Sequence, residues 1–178
     1  MALVLVLLFW THPLGRLTGN RDPEALTAKS NVREVSAAVG PRLRPGDLVV
    51  SVQPEQVPVL FHYLPPGLRF ADPRGPVSEP RVMDWRDALD RLRATTVADD
   101  LTPLVDALPR GRRLLLIAPV LSRTAKYPRW IALLRRKARQ WDAGLRDETR
   151  LQLLAGLYRP HTPRLGGAPV YVRLYQRL

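Results

Sequence analysis

Arg44-Pro-Gly-Asp-Leu-Val-Val-Ser-Val-Gln-Pro-Glu-Gln-Val-Pro-Val-Leu-Phe-His-Tyr-Leu64 holds a turn, a strand and the opening of a helix in consecutive residues. Arg44-Pro45-Gly46-Asp47 has turn chemistry, and Leu48-Val49-Val50-Ser51-Val52 is a β-branched run of strand length. The run stops at Gln53-Pro54-Glu55-Gln56. Pro54 suits a first helical turn and Glu55 suits the positive end of a helix, so a helix is predicted over 57–64. Pro65-Pro66-Gly67 breaks it, and Leu68-Arg69-Phe70-Ala71 predicts a second, short strand. Strand, helix and strand in so short a span are compatible with a parallel βαβ unit, right-handed by the usual rule.

Working outward, Asn31 and Glu34 form an N-cap pair for a short helix through Val32, Val35 and Val39, closed by Gly40-Pro41. After a Pro-rich loop over 72–80, a helix is predicted over 84–93, with Asp84 as its cap and Trp85, Leu89 and Leu92 on one face. A second helix is expected over 99–108. Residues 113–118, Arg-Leu-Leu-Leu-Ile-Ala, read as a fully apolar strand of a covered parallel sheet. Tyr127-Pro128 opens a longer helix whose apolar stripe is Trp130, Leu134, Ala138, Trp141 and Leu145, while Arg129, Arg135, Arg136, Lys137 and Arg139 crowd its other faces. Residues 151–158 and 170–175 predict a hairpin, and the period-2 alternation of the second suggests an edge strand. The expected fold is α/β: a small mixed, mostly parallel sheet with helices on both faces and a C-terminal β-hairpin at one edge.

Ahead of this domain, Met1-Ala-Leu-Val-Leu-Val-Leu-Leu-Phe-Trp10 is wholly apolar and ends at Thr11-His12-Pro13. A bilayer-spanning helix needs about 20 such residues. The run reads as the remnant of a transmembrane helix, as a buried core element, or as an unusual secretory signal. A signal needs a positive n-region and a small-residue cleavage site, yet no Lys or Arg precedes Arg16 and no Ala-x-Ala follows Trp10. Residues 11–29 read as a linker, and 30–178 as the α/β domain.

The chain of 178 residues has 46% apolar content, enough for one domain with a core, and a net charge of +12. The charge is segregated. Residues 1–108 carry 12 Lys and Arg against 13 Asp and Glu, whereas 109–178 carry 16 against 3. That asymmetry suggests an anionic partner for the last part of the chain, although a solvated Arg-rich face explains much of it. Zero cysteines exclude a disulfide scaffold and a thiolate metal site, and His12, His62 and His161 are too scattered to suggest zinc. No metal and no cofactor is expected. Gly-x-Gly-x-x-Gly, the P-loop, Gly-x-Ser-x-Gly and His-Glu-x-x-His are all absent.

Gln53, Glu55 and Gln56 are the best-placed polar residues, because ligands of open α/β sheets sit beyond the carboxyl ends of strands; complementing a helix N-terminus is the simpler explanation of Glu55 and Gln56. Asp84, Asp87 and Asp90 share helical spacing. Each has an arginine in reach, Arg91 for Asp87 and Arg86 for Asp90, which reads as a charge-paired, solvated face. The basic helix suits a surface held against anionic lipid heads, each basic residue near the surface adding about 1 kcal/mol, or else an ordinary packed helix with a wet side.

Lys29-Ser-Asn-Val32, the segment 44–56, Tyr63-Leu-Pro65, Asp72-Pro-Arg-Gly-Pro76 and Arg81-Val-Met-Asp-Trp-Arg-Asp-Ala-Leu89 together resemble the C-terminal soluble region of actinobacterial family 39-like membrane glycosyltransferases. The resemblance spans most of 29–120. It implies polytopic GT-C type enzymes using polyprenyl-phosphate sugars, typically mannose, with a soluble domain outside the cytoplasm after the last membrane helix. Residues 1–10 would then be the remnant of that helix. The family's catalytic acidic residue lies in a first extracytoplasmic loop that has no counterpart here, so no catalytic residue is carried over and activity of this chain alone is not expected. The implied role is an accessory domain acting on lipid-linked or cell-envelope glycans, with Gln53, Glu55, Gln56, Asp84, Trp85 and Arg86 as candidate acceptor or substrate contacts. Arg129, Arg135, Arg136, Lys137 and Arg139 are the candidate anionic-lipid contacts, and the transmembrane catalytic part is the expected partner. A basic nucleic-acid-binding or lipid-binding α/β module is the alternative.

Overall fold

A computed structural model describes residues 31–121, 126–158 and 169–178, with side chains omitted at 156–158. The apolar run and linker of 1–29 lie outside the described residues. The described chain folds as α1 (Val32–Val39), β1 (Leu48–Ser51), α2 (Val57–Tyr63), β2 (Arg69–Asp72), β3 (Gly75–Val77), α3 (Ala88–Ala94), α4 (Thr102–Asp106), β4 (Arg113–Pro119), α5 (Arg129–Asp147), β5 (Leu151–Tyr158) and β6 (Val170–Arg177). The six strands form one open sheet in the order β3-β2-β1-β4-β6-β5.

The apolar centre of that sheet is where the sequence expected it. Leu48, Val50, Leu114, Leu116 and Ala118 point to one face, where Leu104, Val105, Ala138, Trp141 and Leu145 of α4 and α5 cover them. Val49, Leu115 and Ile117 point to the other, against Val32, Val35, Val57 and Leu60 of α1 and α2. Strands covered on both faces need no polar alternation, which is why their sequences are continuous apolar runs. Gly144 lets α5 lie close, since a Cβ there would meet Val97 Cγ1 at 2.8 Å.

Only β2, β1 and β4 run parallel; β3, β6 and β5 are antiparallel to their neighbours, so the sheet is mixed and not mostly parallel. The short β3 falls inside the Pro-rich loop, where Pro76 is tolerated because the strand is an edge. The C-terminal hairpin forms, but its outer strand is β5. β6 lies inside, between β4 and β5. Its alternation separates two covered faces: Val170, Val172 and Leu174 face α1 and α2, while Arg173 on the other face pairs with Asp142 of α5 at 2.9 Å. Burial beside Asp142 pushes the Tyr171 phenol up to about 12.

Asn31 precedes α1 but makes no side-chain cap. Its Nδ2 donates to the Val170 carbonyl at 3.0 Å and its Oδ1 accepts the Val170 N–H at 2.6 Å. A side-chain amide carries the same donor and acceptor as a peptide group, and the fully buried Val170 needs both satisfied.

At the amino ends of the parallel strands lies Asp47, 1% exposed. Its carboxylate accepts the N–H of Arg44 at 2.8 Å and of Arg113 at 3.0 Å, and its carbonyl accepts the N–H of Arg69 at 2.9 Å. The neighbouring turn needs glycine at Gly67, whose φ is +82 and whose added Cβ would meet Pro45 at 3.0 Å. Asp47→Ala leaves two part-buried N–H groups without their acceptor and is expected to cost about 2 kcal/mol, read from the midpoint of urea unfolding.

Across the sheet, Arg150 ties Glu148 (2.7 Å) and Asp106 together at the start of β5. Its hydrogen bond holds the Glu148 carboxyl down to about 2 from an ordinary 4.5. A depressed carboxyl contributes stability above its unfolded value and loses it as pH falls towards the folded one. Glu148→Gln is therefore expected to flatten the loss of thermal stability between pH 4.5 and 2 that the parent chain shows.

Candidate site at the carboxyl ends of the parallel strands

β1 and β4 are adjacent and parallel, and the helices that follow them, α2 and α5, leave to opposite faces of the sheet. The carboxyl ends of strands flanked in this way are the usual ligand position in open α/β sheets. The turn after β1 overhangs that edge. Ser51 Oγ donates to the Gln53 carbonyl at 2.7 Å, that carbonyl also accepts the Gln56 N–H at 2.9 Å, and Pro54 opens a single 3₁₀ turn before α2. Gln53 is 4% exposed. Gln53 Oε1, Glu55 Oε2 and Gln56 Oε1 are buried without a hydrogen-bond partner, an unusual concentration of acceptors lacking donors.

Glu55 Oε1 accepts the indole N–H of Trp130 at 3.1 Å, which latches the first turn of α5 to this overhang. From β2, Asp72 is nearly buried and takes the Arg74 guanidinium at 2.6 Å and the Arg74 N–H at 2.7 Å. Arg74 reaches on to the Asp84 carbonyl at 3.0 Å. Its hydrogen bond to Asp72, then its charge partners Asp72, Asp84 and Glu55, hold the guanidinium more firmly protonated than usual against the cost of burial. Arg74 thus joins the segment around Asp84 to the strand ends.

Asp84 does not cap a helix. α3 begins at Ala88, after Asp87 in the left-handed region with φ 48. Asp84 instead accepts the Arg86 N–H at 3.0 Å, the Arg86 side chain at 2.9 Å and Arg91 Nη1 at 2.9 Å. Hydrogen bonds from Arg86 first, and also from Arg91, hold its carboxyl well below the usual range. The expected pairings of Arg91 with Asp87 and Arg86 with Asp90 are replaced: Asp90 pairs with Arg93, and Asp87 has no ion pair among the described residues. Trp85 is turned outward, 59% exposed, with its ring 5.5 Å from that of Trp130. It does not share the buried face of Leu92. Trp85, Trp130, Leu89, Asp87, Asp90 and Arg129 line an open groove of about 470 Å³.

Three of the six candidate contacts are therefore joined through two residues the sequence reading passed over in that role. Trp130 holds Glu55 and faces Trp85; Arg74 holds Asp84. The sequence places Trp130 in the apolar stripe of the basic helix and Arg74 in the Pro-rich loop over 72–80. A tryptophan at the very start of an amphipathic helix and an arginine two residues from a strand-end aspartate are the signals that point to them. Gln56 lies in the same turn as Gln53 and Glu55.

The basic helix divides. Arg129, Arg136 and Arg139 are exposed and have no ion pair among the described residues, whereas Arg135 is half-buried with its guanidinium 5.6 Å from the Tyr127 ring centre. Lys137, expected on the wet face, is 3% exposed. Its ammonium donates to the carbonyls of Arg93, at 3.3 Å, and Thr95, closing the C-terminal end of α3. Burial and then Arg136 lower its pKa. Lys137 is removed from the surface set. Among the described residues no group of three His, Asp or Glu is placed to hold a metal ion.

Arg74→Ala strands the Asp72 carboxylate in a buried position and is expected to cost about 3 kcal/mol of stability, measured by urea unfolding. Tryptophan emission should shift to the red as the backbone beside Trp85 is released and its ring moves off Trp130.

Comparison with family models, with curated proteins and with solved structures finds no match for this chain.

Proposed function

We propose that this domain is the soluble, accessory part of a membrane glycosyltransferase system, mannosyltransferase-like in class. It would hold a lipid-linked or cell-envelope glycan at the carboxyl edge of its sheet, while the arginine face of α5 rests against anionic head groups. The observation that carries the reading is the position of Arg129, which lines the tryptophan groove and, with Arg136 and Arg139, has no carboxylate partner among the described residues. A lipid-linked sugar has the same layout, a polyol on one side of a phosphate and a membrane on the other.

Two further points support it. The groove offers carboxylate acceptors and aromatic surface, which suit a hydroxylated ring better than a polyanion. The sequence resemblance independently supplies a membrane-linked glycan context, with residues 1–10 as the tether, the domain outside the cytoplasm and the transmembrane catalytic part as partner. Among the described residues no helix is long and apolar enough to cross a membrane, so in this reading attachment falls to that tether and to α5. The domain supplies binding and orientation, and the transfer chemistry belongs to the membrane partner.

The test is partition onto vesicles. The parent domain is expected to bind vesicles containing phosphatidylglycerol, to ignore pure phosphatidylcholine and to detach as salt is raised. Replacing Arg129, Arg136 and Arg139 together by Ala should weaken partition by roughly a hundredfold, at about 1 kcal/mol per arginine near the surface. Equal binding by parent and triple variant defeats the proposal.

A further inference from the structure

We infer that the Trp85–Trp130 groove is a saccharide subsite in which Trp85 stacks on the ring of a neutral pyranoside and the Asp87 carboxylate accepts two of its neighbouring hydroxyls. This rests on the glycan-holding reading and narrows it to one groove, one ligand class and one carboxylate.

Three observations place the ligand. Trp85 is a large apolar surface left exposed, yet it is not loose: the backbone on either side is fixed by Arg74 on the Asp84 carbonyl and by Asp84 on the Arg86 N–H. An indole face carries negative charge density, and the C–H bonds on one side of a pyranose ring present weak positive charge to it. Next, Asp87 lines the groove with a carboxylate that meets no cation among the described residues, because Arg91 has been drawn to Asp84. It also sits at φ 48, the one non-glycine residue with positive φ among those described, and such backbone is retained where the surroundings hold it. A carboxylate with both oxygens available accepts two hydrogen bonds from a vicinal diol. Finally, Asp90 and Arg129 border the same groove, so a ring seated on Trp85 lies within a polar rim.

The charge pattern selects against other ring-bearing ligands. Asp87 and Asp90 line the groove, and only Arg129 among its lining residues is cationic. A nucleotide brings several negative charges to that setting, whereas a neutral sugar brings donors to unfilled acceptors.

The experiment is isothermal titration calorimetry of the full chain with methyl glucopyranoside, methyl mannopyranoside and methyl galactopyranoside, with cyclohexanol as an apolar ring of similar size. At least one glycoside is expected to bind saturably, and cyclohexanol is not. Trp85→Ala should abolish that heat. Asp87→Asn, which suits the left-handed backbone as well as Asp does, should weaken binding about tenfold through loss of the charged acceptor. Far-ultraviolet circular dichroism checks that both variants fold. The inference fails if no glycoside binds, if cyclohexanol binds as well as a glycoside, or if both variants bind like the parent. Vesicle partition is read separately, so a null titration with intact vesicle binding overturns the subsite alone, and loss of vesicle binding with an intact titration overturns the membrane reading.

Discussion

Three parallel strands start in register because one buried carboxylate lies among their amino ends. Asp47 closes its own turn through the Arg44 N–H, takes the first N–H of β4 through its other oxygen, and takes the first N–H of β2 through its carbonyl. A negative charge this deep is tolerable only because peptide donors surround it. With the strands tied at that end, their carboxyl ends lie side by side at the other, where the turn after β1 begins α2.

At the carboxyl edge the polar groups are of two kinds. One set is closed on itself: Arg74 with Asp72, and Asp84 with Arg86 and Arg91, are paired with one another and serve to hold backbone in place. The other set is unfilled: the Asp87 carboxylate on the groove and, buried away from it, the side-chain oxygens of Gln53, Glu55 and Gln56. A ligand in the groove would meet Asp87 while depending on the first set for its position. Such a division is how a binding site stays ordered when nothing occupies it.

How much of this could be read in advance follows from how local each interaction is. Residues 48–52, 113–118 and the stripe of α5 were readable because apolar burial on both faces of a sheet, or along one side of a helix, leaves a periodic trace. The edge strand β3 left none, being three residues with a central proline. Lys137 looked like its arginine neighbours until α3 was placed beside it with carbonyls to satisfy. Asp87 was judged to be paired because Arg91 lies one helical turn away, but the helix starts only after Asp87 and Arg91 turns back to Asp84. The tryptophan pair joins residues 45 apart in sequence through a helix packing that no short window contains. β6 was mistaken for an edge because its second face is covered by amphipathic contacts, Arg173 to Asp142 above all, and these read as wet.

The double hydrogen bond between Asn31 and Val170 has a mechanical consequence. Tension applied through the chain ahead of residue 31 would not begin by peeling α1 from the surface. It would load the amide pair first and pass into β6, an interior strand held on both sides by β4 and β5. Force spread across parallel rows of backbone hydrogen bonds is resisted collectively, whereas a helix end frays one turn at a time. A domain joined this way at its first described residue is built to be pulled on without unravelling.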